Sequence, residues 1–137
     1  YQYFGRTVRL DKTPNWRNVG IILNNTTGRF EEAPFEIVQA ILGARTESNI
    51  STLASERDFI RATEEMRMYH LSGEGPIFAL YETIDAIFAR RHEEQRRLTP
   101  EELTLISTLY QRTYTMWQEE FARQDAGQPP SFKYSSI

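Results

Sequence analysis

The chain has 137 residues, 39% of them hydrophobic, enough for one domain with a buried core, and it contains no cysteine. The last fact excludes disulfides, thiolate nucleophiles and cysteine-ligated zinc. A net charge of −3 argues against a general nucleic-acid binder, and no apolar run approaches the roughly 18 residues of a membrane span. The charge is uneven. Residues 1–30 carry Arg6, Arg9, Lys12, Arg17 and Arg29 against Asp11 alone, whereas residues 31–137 carry 11 basic and 18 acidic side chains. A basic arm on an acidic body can dock on that body, on a neighbouring copy or on an anionic surface.

Tyr1, Tyr3 and Phe4 open the chain, followed by Gly5 and the basic residues. There is no initiating Met, so the chain is expected to begin inside a longer product or after processing. Aromatics followed by positive charges fit the cytoplasmic edge of an upstream transmembrane segment. They also fit an extended arm packed on a helical body, and YQYFGRTVRL is itself a passable strand. Thr13 and Pro14 can open a short helix that places Trp16, Val19 and Leu23 together, although residues 19–23 read equally as a strand; the helix is preferred. Asn24–Gly28, NNTTG, is a turn by composition. Asn24, Asn25 and Asn49 each begin an Asn-X-Ser/Thr triplet, which has meaning only in a eukaryotic secretory route.

Pro34 starts a helix, PFEIVQAILGA, that is apolar nearly all round and is expected to be sandwiched, with Phe35, Val38 and Leu42 on one side and Ile37 and Ile41 on the other. Ser55 then marks a helix start, and Phe59, Ala62, Met66 and Tyr69 form the expected buried stripe of SERDFIRATEEMRMYHL, with His70 at its edge. SGEGP, residues 72–76, breaks that helix and primes the next. The third helix is expected to run to about Arg97, with Ile77, Leu80, Tyr81, Ile84, Ile87 and Phe88 on one arc and Arg90, Arg91, Arg96 and Arg97 at its carbonyl end. A linker of about one residue should then make an antiparallel hairpin with the next helix.

That helix, residues 99–124, is the best specified in the chain. Thr99 can cap it, Pro100 suits its first turn and Glu102 can complete a capping box. Leu103, Ile106, Tyr110, Thr113, Tyr114, Trp117 and Phe121 form its core-facing arc, and Leu105, Leu109 and Met116 extend the apolar surface on a second side. The second side is either covered within the chain or is a seam for a partner. From residue 125 the pattern stops, and DAGQPPSFKYSSI reads as an extended tail carrying Phe132 and Tyr134 across a surface, either its own domain's or a partner's.

Reaction-carrying patterns are weak. The positions three before His70 and His92 are Arg67 and Ala89, so the Glu-x-x-His pairs of a di-iron bundle are missing. Glu82 and Asp85 make half of a magnesium pattern on a solvated face. His70 is the better acid–base candidate because it lies near an apolar edge. SGEGP is a poor phosphate loop, since Glu74 repels anions and Pro76 lacks an N–H. Ser135-Ser136-Ile137 has the hydroxyl and apolar residue of a strand-addition ligand.

The resulting expectation is a mainly α fold: a compact antiparallel bundle of about four helices with a small β contribution in residues 1–30. The parts are a basic aromatic arm, 1–30, a bundle, 31–124, and a tail, 125–137. The function expected is a non-enzymatic protein–protein interaction or regulatory module, cytoplasmic or membrane-proximal, as the soluble part of a membrane-anchored protein. The alternative is a structural subunit laced to its neighbours by both ends. The partner is expected to be a protein or a second copy rather than nucleic acid, and no cofactor, metal or catalytic residue is assigned. The candidate interface residues are Leu105, Leu109, Met116, Tyr1, Tyr3, Phe4, Phe132 and Tyr134.

Overall fold

The computed structural model describes residues 1–12, 18–43 and 48–137. The expectation of a mainly helical bundle is wrong: four helices are combined with a five-stranded antiparallel sheet and a two-stranded ribbon. The chain divides into two compact units, Tyr1–His70 and Leu71–Ile137.

The first unit contains β1 (Gln2–Tyr3), β2 (Arg6–Lys12), β3 (Asn18–Leu23), β4 (Phe30–Glu32), α1 (Phe35–Gly43), β5 (Ile50–Ser51) and α2 (Glu56–His70). The sheet order is β4-β3-β2-β1-β5. β1 and β2 pair Tyr3 with Arg6, which leaves a two-residue turn at Phe4 and Gly5. Both turn residues have positive φ, 47° and 79°, the backbone of a type I′ hairpin, whose twist matches that of its strands. The aromatic start of the chain is therefore sheet rather than an arm, and Tyr1 and Tyr3 pack against buried core.

The short helix expected to gather Trp16, Val19 and Leu23 does not form through Val19 and Leu23, which belong to β3; Thr13, Pro14 and Trp16 lie outside the described residues. Val19 is exposed and Leu23 buried, and β3 pairs with β2 from Val8↔Ile22 to Lys12↔Asn18. The β-branched run prevails as a strand because it has a neighbour on each side. NNTTG does form the turn between β3 and β4. Asn24 Oδ1 accepts from Thr26 N at 2.9 Å and Thr27 N at 3.2 Å, the local bonding that makes Asn a turn residue.

Successive strand residues point to opposite faces. Val8 joins Ile22, Ala33, and Val38 and Ile41 of α1 in one buried cluster. Its neighbour Thr7 turns the other way and bonds Thr63 of α2, Oγ1 to Oγ1 at 2.8 Å. The two helices therefore cover opposite faces of the sheet.

Both helices differ from their expected faces. α1 is not sandwiched: Val38 and Ile41 are buried while Phe35 and Leu42 are exposed. In α2, Tyr69 is exposed, and Ile60, Thr63, Glu64 and Arg67 join Phe59 and Ala62 in the interior. Arg67 donates Nε and Nη2 to Gly28 O at 2.9 and 2.7 Å and Nη1 to Glu64 at 2.8 Å. Its guanidinium lies 5.5 Å from the centre of the Phe30 ring. Burial of charge is tolerated only with pairing and hydrogen bonding of this kind.

The second unit contains β6 (Leu71–Gly73), α3 (Pro76–Glu93), α4 (Pro100–Asp125) and β7 (Tyr134–Ser136). The capping box forms as the sequence implies: Glu102 N donates to Thr99 Oγ1 at 3.1 Å and Thr99 N to Glu102 Oε1 at 2.9 Å. α3 stops earlier than expected, because Gln95 takes a positive φ of 50°, the helix-ending conformation more often given to glycine. Arg96 then leaves the helix and bridges Glu94 and Glu102. Trp117 Nε1 donates to Tyr81 Oη at 2.8 Å. The Arg96–Glu102 and Tyr81–Trp117 pairs straddle position 99 symmetrically, so α3 and α4 run antiparallel.

Candidate interaction surface and aromatic groove

α4 presents two different sides. Its inner side buries Ile106, Tyr110, Thr113, Tyr114, Trp117 and Glu120. Leu103, expected on that side, is 55% exposed because the chain of α3 has already turned away beside it. At 100° per residue Leu105, Leu109, Arg112 and Met116 fall within about 60° on another side. Leu105 is 46% exposed, and Leu109 and Met116 are half-buried. A shallow concavity beside Leu105 is lined by Pro100, Glu101, Thr104 and Thr108. A second, along Thr108, Arg112, Thr115, Met116 and Glu119, continues it.

The segment expected to be a tail folds back on its own unit. β7 pairs antiparallel with β6, from Leu71↔Ser136 to Gly73↔Tyr134. Phe132 and Tyr134 meet Trp117 edge-on, with centroids at 5.5 and 5.0 Å, and also contact Phe78. Gly73 makes this approach available. A Cβ there would lie 2.5 Å from Lys133 O, 2.7 Å from Tyr134 Cβ and 2.8 Å from the Phe78 ring. Gly75 has a φ of 112°, and a Cβ there would lie 3.3 Å from Phe132. The glycines of SGEGP thus make room for a returning strand, a role more consistent with their surroundings than phosphate binding.

Glu120 anchors the same segment. Its carboxylate, 5% exposed, accepts from Ser131 N at 2.8 Å, Ser131 Oγ at 2.7 Å, Gln124 Nε2 at 2.9 Å and Arg123 Nε at 3.3 Å. Burial is the largest influence and favours the neutral acid. The donors from Ser131, Gln124 and Arg123 together outweigh it and hold Glu120 at about 2. Arg123 Nη2 also reaches Pro129 O at 2.8 Å and Ser131 Oγ at 2.6 Å.

The remaining candidates are dispersed. His70 is half-buried and meets the exposed Tyr69 ring edge-on at 4.9 Å; among the described residues no carboxylate pairs with it. His92, Glu82 and Asp85 are exposed. Arg96 is committed to Glu94 and Glu102, and it draws the Glu102 carboxylate down to about 2, aided by Thr99 N. Phe4 is exposed at its hairpin tip, stacked edge-on against Tyr3. In the first unit a small cleft lined by Tyr1, Leu10, Leu53 and Phe59 is bordered by Arg9, which lies 4.7 Å over Phe59 and pairs with Glu56. Among the described residues, no group of three His, Asp or Glu side chains is gathered as a metal site, and no helix is long and apolar enough to cross a membrane.

Sequence reasoning missed Glu64, Arg67, Gly73, Glu120 and Ser131. Only the glycines carried a signal: two of them around one residue, ahead of a helix, with two spaced aromatics elsewhere needing a seat. Comparison with known protein families, with curated proteins and with solved structures gives no match for this chain.

Proposed function

We propose that the chain is a non-enzymatic protein–protein interaction module that offers the Leu105 side of α4 to a helix of its partner. The supporting observation is the line Leu105, Leu109, Arg112 and Met116. Its spacing of four, three and four residues is that of a helix–helix seam, and it is only partly covered by its own unit. A single exposed leucine needs no explanation; three apolar residues around one arginine, bordered by two concavities that share Thr108, do. Arg112, exposed at its centre, suits a carboxylate on the partner and sets register more than affinity. The alternative, a structural subunit laced by its ends, draws on Tyr1, Tyr3, Phe132 and Tyr134. We rank it second because these four rings already have intrachain partners.

A photocrosslinking side chain placed at Leu105, with exposed Glu82 of α3 as the control position, tests the proposal in the cell of origin. A discrete protein adduct from position 105 and none from 82 is expected. No adduct at 105, or equal adducts at both, overturns it. Leu105→Glu should remove the adduct formed from a neighbouring probe at Thr108, and should change stability by no more than about 0.5 kcal/mol.

A further inference from the structure

We infer that residues 131–136 form an exchangeable strap, and that the groove of Gly73, Gly75, Phe78, Trp117 and Glu120 takes the same segment from a second copy of this chain. This rests on the strap and its seat, and not on the Leu105 seam.

The seat is specific for an extended backbone with a particular side-chain order. β6 supplies strand pairing to residues 134–136, and Glu74 N donates to Lys133 O at 3.2 Å. The absent side chains of Gly73 and Gly75 admit the backbone and the Phe132 and Tyr134 rings. Glu120 recognises the hydroxyl and N–H of residue 131. The ligand thus defined is Ser-aromatic-x-aromatic in strand conformation, and the sequence that fits on all counts is the chain's own Ser131-Phe132-Lys133-Tyr134.

None of these contacts requires that strap and seat belong to one molecule. They are joined through Ala126–Pro130, all of it exposed. Within that short stretch the chain must reverse so that Ser131 returns to Glu120, well before the end of α4. Gly127, at a φ of 92°, makes the first part of the turn. Pro129 and Pro130 oppose the rest, because consecutive prolines favour an extended path. Short connectors of this kind are the usual hinges of segment exchange, in which each intrachain contact is remade between copies. Closure within one chain is favoured by the high local concentration of the tethered strap. Exchange therefore grows with protein concentration and with anything that straightens the connector.

Deleting Gly127 and Gln128 tests this in the full chain. Trp16→Phe is added so that Trp117 reports alone. The shortened connector should prevent closure within a chain and give a dimer, read as twice the monomer mass by light scattering, with Trp117 as protected from iodide quenching as in the parent. Adding Leu105→Glu should leave that dimer intact, which separates it from the α4 seam. A monomer with quenchable Trp117 overturns the inference, because the seat then stays empty when its own strap cannot reach. A monomer with protected Trp117 also overturns it, because the connector is then no hinge. Should the deletion variant lack the parent's helical circular dichroism, two others decide: Gly73→Ala, with a blocked seat, and Phe132→Ala/Tyr134→Ala, with a disabled strap. Each should be monomeric alone, and an equimolar mixture should form a dimer; a mixture that stays monomeric refutes exchange.

Discussion

α2 and α4 both bury one face, and they do so by opposite chemistry. The buried side of α2 holds Thr63, Glu64 and Arg67 beside Phe59, Ile60 and Ala62, and its polar groups are satisfied by one another, by Thr7 and by the carbonyl of Gly28. The buried side of α4 is an aromatic wall around Trp117 with one carboxylate, Glu120, at its end. In α2 polar atoms specify which turn and which strand the helix meets. In α4 apolar area supplies the packing, and a single acid specifies where the returning strand begins. A helix face is thus defined by what satisfies it, and hydrophobicity is only one of the ways.

The polar face of α2 depends most on Arg67. Replacing it with Ala leaves Glu64 buried without that cation and Gly28 O without two donors, and should cost about 3–5 kcal/mol in denaturant unfolding. If the face is held by pairing, Glu64→Leu with Arg67→Met should cost clearly less than the summed single changes, since the two charges share one interaction. Additive losses would show that each side chain acts alone.

The Glu120 anchor predicts a pH dependence. Its folded value, about 2, lies below its ordinary 4.5. Its contribution is therefore fully present above about pH 4.5 and is lost as the pH falls towards about 2. Glu102 titrates over the same range, so the informative quantity is the difference between parent and Glu120→Gln. Thermal unfolding of the parent should fall further than that of the variant between those limits, with iodide access to Trp117 rising in step. Parallel curves would remove Glu120 from the strap's anchorage.

The smallest effect is expected at Thr99. Thr99→Ala removes the acceptor for Glu102 N and should cost about 1 kcal/mol, read by urea unfolding. The Trp117 environment should not change, because the cap lies several turns from the strap.

The parts of this protein that the sequence determines by itself are those whose hydrogen-bond partners lie within a few residues. The capping box of Thr99 and Glu102, the Asn24 turn and the Pro76 and Pro100 helix starts are of this kind. The arc Ile106, Tyr110, Tyr114 and Trp117 was legible for a related reason, since one helix repeats its own geometry and its apolar side has to be covered. The same periodicity separates Leu105, Leu109 and Met116 from that arc, whereas the seat of Phe132 and Tyr134 on Trp117 has no local signal. The five-stranded sheet, the polar interior of α2 and the return of residues 131–136 to β6 depend instead on contacts made in the folded chain. There the partner of each group is distant in the chain: Thr63 lies 56 residues from Thr7 and Arg67 lies 39 from Gly28, while Leu71 pairs with Ser136. A strand without its neighbour has no bonded partner for its backbone, and a buried Arg without its carbonyl resembles a solvated one. Local pattern cannot distinguish them until the fold brings the partners together.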